Sequence, residues 1–389
     1  MKTLFFPDFF ASFPSGILHE LETIRRLLEG EYSARIFVVG GAVRDRLLGR
    51  NVVDLDLEVY GLDPETFAEA MERLGAKGVG KSFYVYKYGA IDIALPRKER
   101  KTGTGHRGFS VEPASDRREA SRRRDFTVNA LMLDLDNGEI LDHWGGLEDL
   151  KARRLRCVDP KSFAEDSLRV LRAMRFAAQL GFRVEEGTCR LCRRIPLDDL
   201  PVARIFGEFE RMFRSEYWGR GLLELLNLGI ASRLWGEERK KELFFPAAKE
   251  MIRYRPFSPP ELYDYTFLAI YGEHSEIPMK RILDAIDAPN RYRRYLENLP
   301  KIPEKISPSF VAALARKEGV SASVLGYHPV IRRTAKKLGV WDRPLDLGVT
   351  PLKLMDRGFR GKALGEELDR LYREKIKELD AGISGKEKE

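Results

Sequence analysis

The feature that most constrains the fold is a change of sequence pattern near residue 150. Before this point, short runs rich in β-branched and aromatic residues alternate with segments of helical periodicity. After it, the pattern is helical, with glycine and proline between segments and almost no β-branched runs. Mixed elements followed by helices alone are typical of an α+β region joined to an all-helical one. The sequence therefore predicts an α+β head followed by a helical body.

Six short runs in the head are predicted to be β-strands. The dipeptide Asn137-Gly138 lies between the last two runs and is a strong signal for a two-residue β-hairpin. We therefore expect these last two strands to pair antiparallel. The predicted strands are Arg35–Val39, Val53–Val59, Phe83–Lys87, Ile91–Leu95, Leu131–Leu135 and Glu139–Asp142.

Composition excludes several classes of protein. The chain has 389 residues and no apolar run near the ~20 residues that a membrane span needs. Its first residues lack the basic lead and smooth apolar stretch of a secretory signal, and three cysteines do not make a disulfide framework. We expect a cytoplasmic protein with no membrane contact. Arginine outnumbers lysine by 45 to 23, which favours anionic ligands because guanidinium groups bind phosphate in a planar fork.

A glycine pair follows the first predicted strand. The run GGAVRD, residues 40–45, comes directly after RIFVV and opens a predicted helix. Glycines at such a turn allow close backbone approach, and a helix N-terminus offers N–H groups to phosphate. Arg44 would lie one turn into this helix, near a bound triphosphate. A tight packing turn is the alternative explanation.

Paired acids lie on the second predicted strand. Asp54 and Asp56 are two residues apart, so their side chains are expected on the same face of the strand. Hard oxygen ligands of this kind select Mg²⁺, which also binds substrate phosphates. Asp92 alternates with apolar neighbours on another predicted strand and is a candidate third carboxylate, as metal ligand or base. Exposed edge acids and a glycosyltransferase metal motif are the alternatives, but the preceding glycine turn favours metal-assisted phosphoryl transfer.

Two basic segments follow. Residues 97–109 combine Arg and Lys with three glycines and two threonines, and we interpret them as a loop, too long and polar for a hairpin turn. Such a loop gates a pocket, holds phosphate or simply lies at the surface. In RRRDFTVNAL, residues 122–131, the polar end is assigned to nucleotide contacts, with Asp125 accepting from a ribose hydroxyl. Asn129 is alternatively a structural cap.

The segment EDSLRVLRAMRF, residues 165–176, is predicted to be a helix with a polar stripe. Asp166, Arg169, Arg172 and Arg175 recur every three residues, while leucines and Phe176 occupy the apolar side. A surface ion pair is the ordinary explanation of such spacing. The alternative is base recognition: Asp166 accepts from an amino group and Arg169 donates to a ring nitrogen, an arrangement that suits cytosine and adenine but not uracil and guanine.

The order of these motifs resembles a known family. GGAVRD, DLD, RRRDFTVNAL, DHWGG, EDSLRVLRAMRF and PVARIFGEF are similar to the signature set of class II tRNA nucleotidyltransferases, which comprise bacterial CCA-adding enzymes and related poly(A) polymerases of the DNA polymerase β superfamily. The resemblance implies an α+β nucleotidyltransferase head with a small mixed β-sheet, followed by an all-helical neck, body and tail. The implied domains are 1–150 for the head, 151–230 for the neck with the base template, and 231–389 for a tRNA-binding body and tail.

The resemblance also implies roles for individual residues. Asp54 and Asp56 would hold the catalytic Mg²⁺. Asp166 and Arg169 would form the base template. Arg172 and Arg175 would position the base and phosphates. Further nucleotide contacts would come from Gly41, Arg44, Arg124 and Asp125. Pro201, Arg204 and Glu208 would support the template helix.

The implied activity is template-independent addition of CCA to tRNA from CTP and ATP. The partners are the acceptor and T arms of tRNA, with no protein partner expected. Residues 98–105 resemble the loop that the family associates with switching from C to A addition, which favours complete CCA addition. A poly(A) polymerase, or an enzyme adding only A or only CC, is the alternative on the same scaffold. A non-catalytic RNA-binding protein would not require the paired acids, and transfer to a small molecule would leave the basic helical body unexplained.

Overall fold

The chain divides into two compact units, Met1–Arg239 and Lys240–Glu389. The computed structural model describes residues 4–6, 8–11, 13–52, 54–80, 84–101, 109–114, 116–236, 241–275 and 277–384. The change from mixed to helical structure near residue 150 is observed, and it falls inside the first unit. The division into head, neck and body with tail stays a prediction.

Twelve β-strands are found in the described part of the first unit. In chain order they are Leu4–Phe5 (β1), Arg35–Val39 (β2), Leu55–Tyr60 (β3), Lys77–Gly80 (β4), Val85–Tyr88 (β5), Ile91–Ala94 (β6), Arg97–Lys101 (β7), Phe109–Pro113 (β8), Met132–Asp134 (β9), Glu139–Leu141 (β10), Arg154–Leu155 (β11) and Arg183–Val184 (β12).

Helices of the first unit lie between and after these strands. They are Ser15–Arg25 (α1), Gly41–Leu47 (α2), Pro64–Leu74 (α3), Arg117–Arg122 (α4), Gly146–Lys151 (α5), Pro160–Ala164 (α6), Leu168–Leu180 (α7), Glu186–Arg194 (α8), Val202–Phe213 (α9), Trp218–Asn227 (α10) and Ile230–Trp235 (α11). The described part of the second unit contains Lys241–Tyr254 (α12), Tyr263–His274 (α13), Met279–Ala285 (α14), Asn290–Leu296 (α15), Pro308–Leu314 (α16), Pro329–Lys337 (α17), Pro351–Asp356 (α18) and Gly361–Ser384 (α19).

A mixed eight-stranded sheet forms the centre of the head, in the order β1-β10-β9-β2-β3-β6-β5-β4. Strands β3 and β6 are parallel, and the other neighbours in this sheet are antiparallel. The predicted α+β head with a mixed sheet and the helical region after it are confirmed. Each predicted strand is present with its ends shifted by at most two residues, although Val53 and Phe83 lie outside the described residues.

The predicted hairpin at Asn137-Gly138 is confirmed. Strands β9 and β10 pair antiparallel, with Leu133 opposite Ile140. Gly138 has a φ of 71°, which glycine adopts without steric cost. The turn residues therefore fix the register of this end of the sheet.

The prediction of a loop over residues 97–109 is wrong at both ends of this range. Residues Arg97–Lys101 and Phe109–Pro113 form an antiparallel two-stranded ribbon, with Lys101 opposite Phe109. Backbone hydrogen bonds form such a ribbon whatever the side-chain charge, and Phe109 and Val111 alternate with polar neighbours at the strand period. Residues 102–108, which hold the glycines and threonines of the predicted loop, lie outside the described residues.

Helix α7 is the central helix after the sheet and packs against α9 and α10. Its apolar side is buried, and the helix ends at Gly181, which has a φ of 71°. A Cβ atom on Gly221 of α10 would lie 2.8 Å from the Cβ of Ala178, so glycine at this position lets the two helices approach closely. Arg169, Arg172 and Arg175 are thus carried by a closely packed helix.

The second unit is built from helices packed in pairs, including α12 with α13 and α16 with α19. Tyr372 on α19 donates a hydrogen bond to the carbonyl of Ala312 on α16 over 2.8 Å, which fixes the contact between these helices. None of the helices among the described residues is both long and apolar enough to cross a membrane.

Candidate nucleotide-binding and catalytic site

Three carboxylates meet at one edge of the mixed sheet, and we call them the carboxylate edge: Asp54, Asp56 and Asp92. Because β3 and β6 are parallel neighbours, Asp56 lies directly opposite Asp92. Asp54 precedes β3 by one residue, and it and Asp56 are exposed to solvent. The pKa of Asp56 is raised, first because surrounding protein atoms reduce its hydration, and further by the charges of Asp92 and Asp54; Arg124 partly offsets both effects. The structure therefore brings together all three acids that the sequence singled out.

The glycine turn lies against this edge. Gly40, between β2 and α2, has a φ of 77° and a ψ of −133°, a combination essentially confined to glycine. A Cβ atom there would lie 3.0 Å from Nη1 of Arg124 and 3.4 Å from Oδ2 of Asp56. The sequence predicted a role for Gly41, whereas Gly40 is the residue in contact with the carboxylate edge. The signal was available, since both glycines follow the strand directly.

Glu58 is a site residue that the sequence analysis missed. It is buried, its Oε1 accepts from Nη2 of Arg123 over 3.1 Å and of Arg124 over 2.9 Å, and its Oε2 accepts from the Tyr60 hydroxyl over 3.0 Å. Burial alone would raise the pKa of Glu58, but the two arginines and the hydroxyl outweigh it and the pKa is lowered. Glu58 thus holds Arg124 beside Asp56. The pattern Asp54-x-Asp56-x-Glu58 was the signal that could have identified it.

A second group of charged residues is largely buried between α2, residues 125–129 and α7, and we call it the arginine network: Arg44, Asp125, Arg172, Arg175 and Glu208. Arg44 donates to both carboxylate oxygens of Asp45, over 2.9 and 2.7 Å, and to Oδ1 of Asn129. Its guanidinium is thus bound by protein groups. Its predicted nucleotide contact stays a prediction.

Asp125 and Arg172 continue the network. The Nε of Arg172 lies 2.7 Å from Oδ2 of Asp125, and its Nη2 lies 2.5 Å from the same oxygen. Asn129 donates to the other oxygen of Asp125 over 2.9 Å. Burial would raise the pKa of Asp125, but Arg172 and Asn129 lower it to about 2. Asp125 therefore orients Arg172, and the predicted ribose contact of Asp125 remains untested.

Arg175 is paired with the following helix. Its Nε lies 2.5 Å from Oε2 of Glu208 on α9, and Arg211 contacts the other oxygen over 2.9 Å. Burial lowers the pKa of Arg175 to about 10, with Glu208 acting against this change. The predicted support of the template helix by Glu208 thus has a direct contact behind it.

Phe176 joins the arginines of this network, which the sequence analysis did not anticipate. The guanidinium carbons of Arg44, Arg172 and Arg175 lie 5.2, 5.2 and 4.0 Å from the centre of its ring. Each such contact contributes about 0.5–1 kcal/mol, and more when desolvated. One aromatic ring therefore helps to fix three cations in place.

The template pair lies at the start of α7, and one prediction is corrected here. The helix begins at Leu168, so Asp166 precedes it and is not part of its polar stripe. Its Oδ1 accepts from the backbone N–H of Leu168 over 3.1 Å, because the first N–H groups of a helix have no partner within the helix. Arg169 lies within 4.0 Å of Asp166 and donates to the carbonyls of Ser162, over 2.7 Å, and Arg123. Base recognition by the pair stays a prediction.

The carboxylate edge supplies some of the oxygen ligands that Mg²⁺ needs, but not all of them. Among the described residues, no group of three or more His, Cys, Asp and Glu is arranged to hold a metal ion unaided. Mg²⁺ characteristically keeps several waters and binds through one or two carboxylates together with substrate phosphates. Asp54 and Asp56 supply such a pair of oxygen donors, so a metal there would depend on the bound nucleotide.

The first unit combines a mixed sheet, a glycine turn beside strand-borne acids and a following helix that bears three arginines, which is the arrangement expected of a nucleotidyltransferase head. Residues 36–156 match the poly A polymerase head domain, and residues 181–236 match the probable RNA and SrmB-binding site of polymerase A. These two ranges are thus similar to the poly A polymerase head domain and to the RNA-binding region that accompanies it.

The chain is also similar to curated relatives and to solved structures. The chain is 43% identical over 192 residues to the multifunctional CCA protein of Xanthomonas campestris pv. campestris (strain B100), covering 46% of each chain. It is 44% identical over 193 residues to that of Stenotrophomonas maltophilia (strain K279a), covering 47% of this chain and 46% of the relative. The match therefore spans less than half the length of these relatives.

The fold match extends further than the sequence match. A tRNA-processing enzyme (apo form I) is 25% identical with a TM-score of 0.62, over 93% of this chain and 98% of that one. A CCA-adding enzyme in complex with CTP is 21% identical with a TM-score of 0.67, over 97% of this chain and 94% of that one. The second likeness is evidence of a shared fold.

Proposed function

We propose that the chain adds C, C and A to the 3′ end of tRNA from CTP and ATP. The observation that carries the proposal is the proximity of Gly40, Arg124 and Asp56: a Cβ atom on Gly40 would lie 3.0 Å from Nη1 of Arg124 and 3.4 Å from Oδ2 of Asp56. In this proposal the backbone turn, the cation and the paired acids together bind a nucleoside triphosphate and a metal. The relatives described as multifunctional CCA proteins support this choice of substrates.

In this mechanism the tRNA 3′-hydroxyl attacks the α-phosphate of the nucleotide. The new bond joins the 3′ oxygen to the α-phosphorus, the bond to the bridging oxygen of the β-phosphate breaks, and pyrophosphate leaves. Asp54 and Asp56 would hold Mg²⁺, which when bound supplies charge neutralisation and acidifies the attacking hydroxyl. In the proposal Asp92 accepts the hydroxyl proton, and Arg124 faces the negative charge of the phosphates.

Base selection in this proposal falls to Asp166 and Arg169. Asp166 accepts from the amino group of cytosine or adenine, and Arg169 donates to the neighbouring ring nitrogen. Uracil and guanine present these groups in reverse and would leave both side chains unpaired. The arginine network holds α7, which bears Arg169 and whose first N–H group is bound by Asp166.

The acceptor and T arms of tRNA are the proposed polyanionic partner of the helical region. We place the reaction in the cytoplasm, since Cys157, Cys189 and Cys192 are all free thiols and a disulfide-free chain suits a reducing compartment. Cys189 and Cys192 are buried in α8, and burial raises the pKa of both thiols, so they are packing residues in this scheme.

A poly(A) polymerase is the second candidate, because the head matches the poly A polymerase domain. Both candidates are tested by offering tRNA that lacks CCA with CTP and ATP, singly and together, and sequencing the 3′ ends. CCA addition when both nucleotides are present supports the proposal. Long A tracts with ATP alone would favour the polymerase, and addition of A alone or of CC alone would indicate a partial enzyme.

The metal assignment is tested with Asp54→Ala in the same assay. Asp54 is exposed, so its truncation leaves the fold intact, and we expect incorporation to be abolished while tRNA binding is retained. Mg²⁺ removal by a chelator should have the same effect on the wild-type protein. Turnover by Asp54→Ala at the wild-type rate would contradict the assignment.

A further inference from the structure

The second unit contains a basic cleft of about 820 Å³ between the end of α12 and α17. On α17 the cations have the spacing i, i+1, i+4 and i+5, which places them along one side of the helix. No acidic side chain that the structure describes is ion-paired with any of the cleft's lysines and arginines. Those residues are Arg253, Arg332, Arg333, Lys336 and Lys337.

An aromatic cavity of about 330 Å³ lies in the same unit. Its lining includes Phe257, Tyr327 and Trp341, together with the hydroxyl-bearing Ser321 and Ser323. Phe257 is 50% exposed, which is unusual for so large an apolar side chain. The cavity thus offers flat apolar surface and polar groups at short range.

Two residue pairs join the two cavities. The guanidinium of Arg332, in the basic cleft, lies 3.9 Å from the ring centre of Phe257, in the aromatic cavity. Lys336 of the cleft lies 5.7 Å from the ring of Trp341. Gly326 packs against Trp341, and a Cβ atom there would lie 2.8 Å from the carbonyl oxygen of Val320, so no larger residue fits at this wall of the cavity.

We propose that these two cavities bind one unpaired nucleotide of an RNA, with the base in the aromatic cavity and the flanking phosphates in the basic cleft. Cations that have no acidic partner attract phosphate, and aromatic rings stack on bases of any sequence. A base within a duplex is held by its partner and cannot enter the aromatic cavity. The inference rests on the proposed function only because it takes RNA as the substrate class. The site contains none of the residues assigned to catalysis.

The test compares two RNA hairpins with blunt, paired ends, one carrying a single bulged nucleotide and the other fully paired. Fluorescence anisotropy of labelled hairpins gives Kd for the full chain between 50 and 200 mM salt, with no nucleoside triphosphate present. We expect the bulged hairpin to bind at least about 5-fold more tightly, because only its unpaired base can stack in the cavity. Equal affinity for the two hairpins would overturn the proposal.

Variants of the basic cleft and of the aromatic cavity test the phosphate contacts and the base stacking separately. Arg332→Gln with Arg333→Gln should weaken binding about 10-fold and reduce the slope of log Kd against log salt by about 1.5, since two phosphate contacts are lost. Phe257→Leu should abolish the preference for the bulge and leave the salt slope unchanged. Both changes are at residues with exposed or half-buried side chains, and thermal unfolding of each variant checks that the fold is retained.

Lys301→Gln with Lys305→Gln is the matched control. Both lysines are exposed in the second unit and lie outside the two cavities, and the net charge changes by the same amount. We expect this control to bind both hairpins within about twofold of the wild type. A loss as large as that of the cleft variant would contradict a local site.

The outcome is separable from that of the proposed function. Incorporation into tRNA lacking CCA is measured on the same preparations. A bulge preference without incorporation would refute the proposed reaction and support the RNA site. Incorporation without a bulge preference would refute the RNA site and leave the reaction supported.

Discussion

The carboxylate edge and the arginine network are both built from charged residues, but their charges are satisfied in different ways. At the carboxylate edge, Asp54 and Asp56 are exposed, and no ion pair to either is found within the described residues. In the arginine network, Asp125 and Glu208 are buried and each is bound directly by at least one arginine. The carboxylates of the carboxylate edge can therefore bind a ligand, whereas the charges of the arginine network are already paired with protein groups.

This difference suggests that the carboxylate edge takes part in the reaction and that the arginine network positions structural elements. Carboxylates that repel each other and lack a cation cost stability and favour the arrival of one. Buried ion pairs offer little to a ligand, but removal of one member is costly because the other remains buried and charged. The carboxylate edge should therefore control activity with little effect on stability, and the arginine network should control stability first.

The largest expected effect is that of Asp56→Asn on activity. Loss of one metal-binding charge should lower single-turnover incorporation at least about 1,000-fold, since charge neutralisation at such sites supplies several kcal/mol. The free energy of unfolding in urea should not fall. Because the pKa of Asp56 is raised in the folded state, the folded protein disfavours the ionised form at neutral pH, and its neutralisation is stabilising.

The exposed Asp136→Asn serves as the control for this charge change. It should leave incorporation and stability at wild-type values. For the wild type without metal, the affinity for Mg²⁺ should begin to fall at a higher pH than for a site of ordinary aspartates, since binding needs the ionised Asp56 and its pKa in the metal-free protein is raised. A stability loss of several kcal/mol in Asp56→Asn would remove the distinction between the two regions.

Asp125→Asn should give the largest stability effect, about 2–3 kcal/mol in urea unfolding at neutral pH, because the half-buried Arg172 loses its counter-charge and its charge-assisted hydrogen bonds to the buried Asp125. The pKa of Asp125 is about 2 against an ordinary 3.8, so its stabilisation is present above about pH 4 and is lost as the pH falls towards 2. The stability difference between wild type and variant should shrink over that interval. A difference that persists unchanged to pH 2 would argue against the ion pair as its cause.

Asp166→Ala tests base selection, with a smaller effect expected. Loss of the acceptor should relax the choice of CTP and ATP over UTP and GTP by roughly 10- to 100-fold in kcat/KM, as expected when one hydrogen bond to the base is removed. The unfolding free energy should fall by only about 1 kcal/mol, because the side chain also caps α7. Asp166→Asn, which keeps an oxygen acceptor, is the matched comparison, and unchanged selectivity in Asp166→Ala would refute the template role.

Lys87→Met should have the smallest effect. Lys87 lies 3.2 Å from Asp92, which is the member of the carboxylate edge with an ion pair to another described residue, and both side chains are about half exposed. Such a pair contributes less than about 1 kcal/mol, so stability should hardly change. If Asp92 shares in metal binding, the Mg²⁺ concentration for half-maximal incorporation should fall modestly, by about twofold. Lys77→Met, also exposed, is the control, and a rise in the Mg²⁺ requirement would argue against Asp92 in this role.

Local patterns predicted much of the head. The strand Arg35–Val39 is observed with the predicted ends, and the glycine pair lies at the predicted turn, since β-branched periodicity and backbone freedom are properties of a few adjacent residues. The same reasoning was wrong for Arg97–Lys101, where charge indicated a loop and the backbone pairs as a strand. It was also wrong in placing Asp166 on α7, because a residue that caps a helix has the same spacing as one in its first turn.

The sequence by itself determined the fold class, the paired acids and the identity of the arginines. Only the tertiary structure decided which of these charges are available. Asp92 joins Asp56 because β3 and β6 are parallel neighbours, and Glu58 acquires its role because two arginines 65 and 66 residues away reach it. Exposure and pairing depend on contacts between residues distant in the chain, and a pattern of adjacent residues carries no information about them.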